Sequence, residues 1–250
     1  MDRPFHATQR LAELLSSAES SGPRQVGQFL VYYMGLDINN PAEWYQAYAM
    51  FIELSRNALK EAKAIDGPYR NLYVEPLEAI EKIVTRFNPG DSVGNLLGQI
   101  GAKVITQLPY CVHATANQAR EIRIESDKIS ELIDAIQELR GRVISADLSE
   151  ELKTFLVEQL FAMERAVSEY RIGGKDALQN GLAQIIGNIL YTGRRIDPDL
   201  VPRKDDNPSP KQALFNLLWD LLAKMDTLVS LGTAGALYLP LLFNLLAANP

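Results

Sequence analysis

The chain has 250 residues, 47% hydrophobic and 22% charged, with a formal net charge of -6 and a pI near 5.1. That apolar share supports a packed core and excludes a disordered chain, while the acidic field repels phosphate backbones and argues against nucleic acid as a partner. Cys111 is the single cysteine, which rules out an intrachain disulfide and a cysteine-based zinc site and fits a reducing compartment.

The opening MDRPFHATQRLAELLSSAES carries charges where a signal peptide needs an apolar stretch, so a cytoplasmic location is expected. Phe5, Leu11, Leu14 and Leu15 predict a first amphipathic helix ending in the Ser/Gly run at Ser20 to Gly22. Val26, Phe29, Leu30 and Tyr33 predict a short second helix closed by Gly35. Pro41 suits the opening of a third helix, where its missing N–H costs nothing. That helix carries Trp44, Tyr45, Tyr48, Phe51, Ile52 and Leu59 and stops near Asp66-Gly67-Pro68. Tyr73, Leu77, Ile80, Val84 and Phe87, alternately four and three apart, mark a fourth helix. Between Asp91 and Gln118 the apolar run is interrupted by Gly94, Gly98 and Gly101, and Pro109 is expected to kink or divide it.

From Asp127 the helical spacing returns through Ile129, Leu132, Ile133, Ile136, Leu139 and Val143, then a turn at Ala146-Asp147. Leu152, Phe155, Leu156, Leu160, Met163, Val167 and Tyr170 continue it to Gly173-Gly174. Two long helices joined by a short turn predict an antiparallel hairpin. A further helix is expected over Asp176 to Tyr191, followed by a charged, Pro-rich linker. No segment shows strand alternation. The expected fold is therefore all-α, a multi-helix bundle with a long antiparallel helical hairpin and an apolar C-terminal helical segment. The expected divisions are a bundle body over 1–192, a linker over 193–210 and the apolar segment over 211–250.

In that last segment Gln212, Asn216, Asp220 and Lys224 fall four apart and form one polar stripe on an otherwise oily helix. The next 24 residues, Thr227 to Pro250, contain no charge. As one helix, Leu228 to Ala248 would span roughly 32 Å at about 1.5 Å per residue, close to a bilayer core. Arg194, Arg195, Arg203, Lys204 and Lys211 precede it and would keep the body on the cytoplasmic side. Pro240 and Gly232-Thr-Ala-Gly235 favour instead two shorter helices folded together as core. Leu218, Trp219, Leu222, Leu237, Leu242 and Phe243 are the candidate membrane or interaction surface.

Chemistry-bearing motifs are sparse. Cys111 and His113 stand two apart, which on a helix points them in different directions, so a buried thiol and an ordinary histidine are expected. Gly94, Gly98 and Gly101 suggest close packing of two helices. Trp44, Tyr45, Tyr48 and Phe51 could line a pocket but have the spacing of core residues. Glu150-Glu151 suits a helix start. No catalytic residues, cofactor or metal site are expected. The first functional expectation is a non-enzymatic, effector-like helical protein whose C-terminal segment meets membrane lipid, peripherally or as a tail anchor at the inner face. The second is a helical protein-interaction or oligomerisation module, a homo-oligomer being one form of it, with that segment buried as core. An enzyme with a site not visible in the sequence is the third.

Overall fold

The structure is a computed structural model that describes residues 5–22, 24–116, 123–200 and 208–230. Among these residues it is all-α: helices follow one another along the chain and the sole β feature is an isolated bridge between Gln25 and Ser92. The helices are α1 (Ala7–Glu19), α2 (Val26–Met34), α3 (Pro41–Lys63), α4 (Arg70–Val84), α5 (Val93–Ile100), α6 (Ala102–Thr115), α7 (Ser126–Ser145), α8 (Glu150–Gly173) and α9 (Lys175–Asn188). A π-helical turn (Ile189–Gly193), α10 (Arg194–Ile196) and α11 (Pro210–Ser230) complete the order.

The helix boundaries follow from local chemistry. Pro41 opens α3 and the Asn40 side chain accepts from the Ala42 N–H at 3.1 Å, satisfying a donor the first turn leaves unpaired. Gly35 ends α2 in the left-handed conformation at φ 78°, where a side chain would be strained. The glycine-rich region is divided at Gly101 (φ 81°) and not at Pro109, which sits inside α6. The helix expected over Asp176 to Tyr191 gives way at Ile189 to the π turn. There Gly193 is packed so closely that a Cβ would lie 2.5 Å from Leu200 and 2.8 Å from Phe155.

Packing divides the chain into two compact units. The first runs up to Arg123 and adds Ser168–Gly174, the last turns of α8; the second comprises Ile124–Val167 and the described residues from Lys175 on. Within the first unit, α1, α2, α4 and α6 pack on α3. Its core holds Leu11, Leu14, Phe51, Leu77, Ile80 and Ile172, all nearly solvent-free.

In the second unit, α11 packs against α7 and α9. Helices α7 and α8 have the predicted extents to within a few residues, and Gln137 and Arg140 on α7 both bond Glu164 on α8. Gly181 on α9 lets that helix approach α8, for a Cβ there would meet Ala166 at 2.4 Å. The segment read as a solvated linker begins with packed structure: Leu200 is fully buried, and Lys211 on α11 bonds Asp197 at 2.9 Å and lies 3.6 Å from Asp199.

Candidate functional site: the groove between α7 and α11

The C-terminal helix α11 carries the residues to which the sequence assigned a surface role. The structure places Leu218, Trp219 and Leu222 at 1%, 2% and 0% exposure. They form core in the second unit, because the apolar circumference of α11 is taken up by its neighbours. Among the described residues these three candidate surface positions are buried. Leu237, Leu242 and Phe243 lie outside the described residues. Among the described residues no helix is long and apolar enough to cross a membrane.

The polar stripe of α11 stays at the edge of the core. Gln212 is buried and donates to Asn216 Oδ1 at 3.1 Å, while Asp220 and Lys224 are exposed. Asp226, outside the stripe, is buried at 2% exposure. The four-residue spacing of Asp220 and Lys224 on α11 is matched by that of Glu138 and Arg142 on α7. These four exposed charges, two of each sign, rim an open groove of about 460 Å³. Ala135, Leu139, Leu217 and Leu221 floor it. None of the four rim groups makes an ion pair with another described residue. Such a concavity, apolar below and charged at the lip, can bind an apolar side chain and orient it by its charged flanks. The sequence showed half of it, the Asp220–Lys224 spacing; the α7 half carries the same i, i+4 signal but reads as an ordinary solvated helix face until α11 is set beside it.

The other candidate positions are placed differently. Cys111 is wholly buried and its Sγ faces the Tyr73 carbonyl at 3.7 Å; burial pushes its thiol up to about 11. His113 is exposed, so the two do not meet. The buried histidine is His6, whose Nε2 lies 2.6 Å from Thr115 Oγ1. Since Thr115 Oγ1 already donates to the Cys111 carbonyl at 2.9 Å, His6 Nε2–H is the donor in that pair.

Gly94 and Gly98 do not mediate a close helix contact, because a Cβ at Gly98 would meet nothing and one at Gly94 only Ser92 Oγ at 4.0 Å. In the aromatic cluster Phe51 and Tyr48 are core, with Tyr48 Oη donating to the Val84 carbonyl. Trp44 packs by its Cβ on Gly27 and donates to the Ile38 carbonyl at 2.8 Å. Tyr45 is 65% exposed. Among the described residues no group of three or more His, Cys, Asp or Glu side chains could hold a metal ion. No protein-family model matches the chain, and comparisons with curated proteins and with solved structures found no match.

Proposed function

We propose that the chain is a helical interaction module whose C-terminal helix α11 is structural core and whose α7/α11 groove receives a partner's apolar side chain. The observation that carries this reading is the rim of four unpaired charges above a leucine floor. Exposed charges of both signs at fixed helical spacing set register and partner choice more than affinity, and the apolar floor supplies the binding energy.

A photoreactive benzoylphenylalanine at Leu217 tests it. The expected result is a discrete adduct in the source cell that Glu138→Arg with Asp220→Lys abolishes. An absent adduct, or one indifferent to those reversals, removes the groove from consideration.

A second reading, lipid contact, rests on the charge-free Thr227 to Pro250 sequence and the basic residues before it. With Leu218, Trp219 and Leu222 occupied in the core, lipid contact in this reading falls to residues such as Leu237, Leu242 and Phe243. Flotation of the full chain with liposomes, lost in Leu237→Arg at a cost of roughly 2.5–3.5 kcal/mol on insertion scales, supports this reading. A full chain that ignores liposomes of several compositions ends it.

A further inference from the structure

From the exposed face of α7 we infer that the partner for the groove is a second copy of this chain, joined about a two-fold axis parallel to α7. The inference rests on the groove being a protein-binding surface, and three observations extend it.

The first is what the outward face of α7 presents. At about 100° per residue, Ile129, Leu132, Ile136, Leu139 and Val143 share the buried side of α7. Asp134, Gly141 and Ser145 point directly away from it and are exposed. Ala135, Glu138 and Arg142 lean to one flank, toward α11 and the groove. Gln137 and Arg140 lean to the other, toward α8. Groove and α8 edge thus open on the same broad surface, one on each side of the α7 ridge.

The second is a projecting apolar side chain on the α8 edge. Phe161 is 54% exposed, and Ile144, on α7, is 59% exposed. The guanidinium of Arg140 lies 4.4 Å from the Phe161 ring centre, which sets Phe161 at the level of residue 140 along α7. The groove spans residues 135 to 142 of the same helix, so knob and hole stand at one height. A two-fold rotation parallel to α7 exchanges the two flanks and keeps the height. It therefore brings each Phe161 over the other copy's groove, and Glu158, one turn before Phe161, toward a rim that offers Arg142 and Lys224. A self-matching patch needs both signs of charge and both knob and hole, and this face has them.

The third is Gly141. It lies inside an otherwise regular helix at a position with no positive φ, and a Cβ there would meet nothing within 4 Å. A glycine in a helix interior is unfavourable relative to alanine, and nothing among the described residues requires it. On the two-fold ridge it lets two α7 backbones approach closely, as small residues do at helix contacts. The charge-free Thr227 to Pro250 sequence has no group to match four rim charges, which points to an occupant carrying charge.

Sedimentation equilibrium of the full chain, with melting followed in parallel, tests the pairing. The expected result is a concentration-dependent dimer that Phe161→Glu and Gly141→Gln each weaken by about tenfold or more. Gly141→Gln keeps or raises the melting temperature of the monomer, which separates loss of pairing from loss of fold. Asp134→Asn, which relieves a like-charge pair that the axis forces together, tightens the dimer. A chain that stays monomeric at its solubility limit, or a dimer indifferent to both Phe161→Glu and Gly141→Gln, overturns the inference. If the Leu217 photoadduct then contains a different protein, the interaction reading survives without self-pairing.

Discussion

The two units differ in where some of their charged side chains are used. In the first unit several are turned inward and spent on backbone groups. Glu61 on α3 accepts from the Ala7 and Thr8 N–H groups at 2.8 and 2.9 Å and from Thr8 Oγ1 at 2.7 Å, closing the N-terminus of α1 with a carboxylate. Arg10, 6% exposed, donates to the Phe5 carbonyl at 2.7 Å, and Tyr48 reaches the Val84 carbonyl. In the second unit the four charges around the α7/α11 groove remain at the surface and make no such bonds. Polar groups spent internally fix one packing; polar groups left at a lip are free to select a partner.

The contrast breaks first if α11 is not core. Trp219→Ala is expected to lower unfolding free energy by about 3–5 kcal/mol, the usual cost of emptying a large buried site. Were Trp219 a surface residue waiting for lipid, the change would stay within about 0.5 kcal/mol. Urea denaturation of the two chains decides between them.

Much of the architecture could be read from spacing alone, and the reasons are local. Asn40-Pro41 and Gly35 encode helix ends in their own dihedral preferences, and the heptad-like run from Tyr73 to Val84 encodes a buried face. Of the interruptions the sequence offers between Asp91 and Gln118, spacing alone does not rank Gly101 above Pro109: Pro109 is tolerated inside α6, while Gly101 takes a backbone conformation only glycine accepts easily. The π turn at Ile189 ends at Gly193, which packs closely on Phe155 and Leu200, a tertiary fact without a local signal. The groove is likewise a property of two helices about eighty residues apart. The oil of α11 was legible, but whether protein or lipid covers it is not written in periodicity.

Glu61 sharpens the comparison next. Glu61→Ala removes three bonds to one carboxylate and leaves buried N–H groups of α1 without acceptors, so a loss of about 2–3 kcal/mol is expected. Hydrogen exchange at Ala7 and Thr8 should accelerate more than exchange in α7, locating the loss at α1. Uniform acceleration would mean that the carboxylate is not specific to that helix end.

Two glycines then offer a matched pair. Gly174 follows α8 at φ 66°, and a Cβ on it would lie 2.2 Å from the buried Arg10 guanidinium. Gly174→Ala should cost about 1–2 kcal/mol from the left-handed backbone alone, whereas Gly141→Ala, in open helix, should gain up to about 1 kcal/mol. Equal effects of the two substitutions on the unfolding midpoint would show that one glycine is misplaced.

The smallest expected effect concerns Cys111. Its thiol is enclosed between α6 and the Tyr73 carbonyl of α4, and burial raises its folded value from 9.0 to about 11. The folded state therefore holds a proton that the unfolded chain gives up, and by linkage its contribution is fully present below pH 9 and is lost as pH rises through about 11. Tyr48, raised from 10.0 to about 12 by burial and secondarily by Asp91, adds a loss of the same sign beginning one pH unit higher. Cys111→Ala should remove the decline of stability between pH 9 and 10 and lessen it between pH 10 and about 11, leaving the Tyr48 contribution, which begins at pH 10 and runs to about 12. Alkylation supplies the kinetic counterpart: at pH 8 the folded chain should react slowly with iodoacetamide and the urea-unfolded chain quickly, since the thiolate is the nucleophile. Rapid labelling of the folded chain would place Cys111 outside the core and detach α6 from α4 at that point.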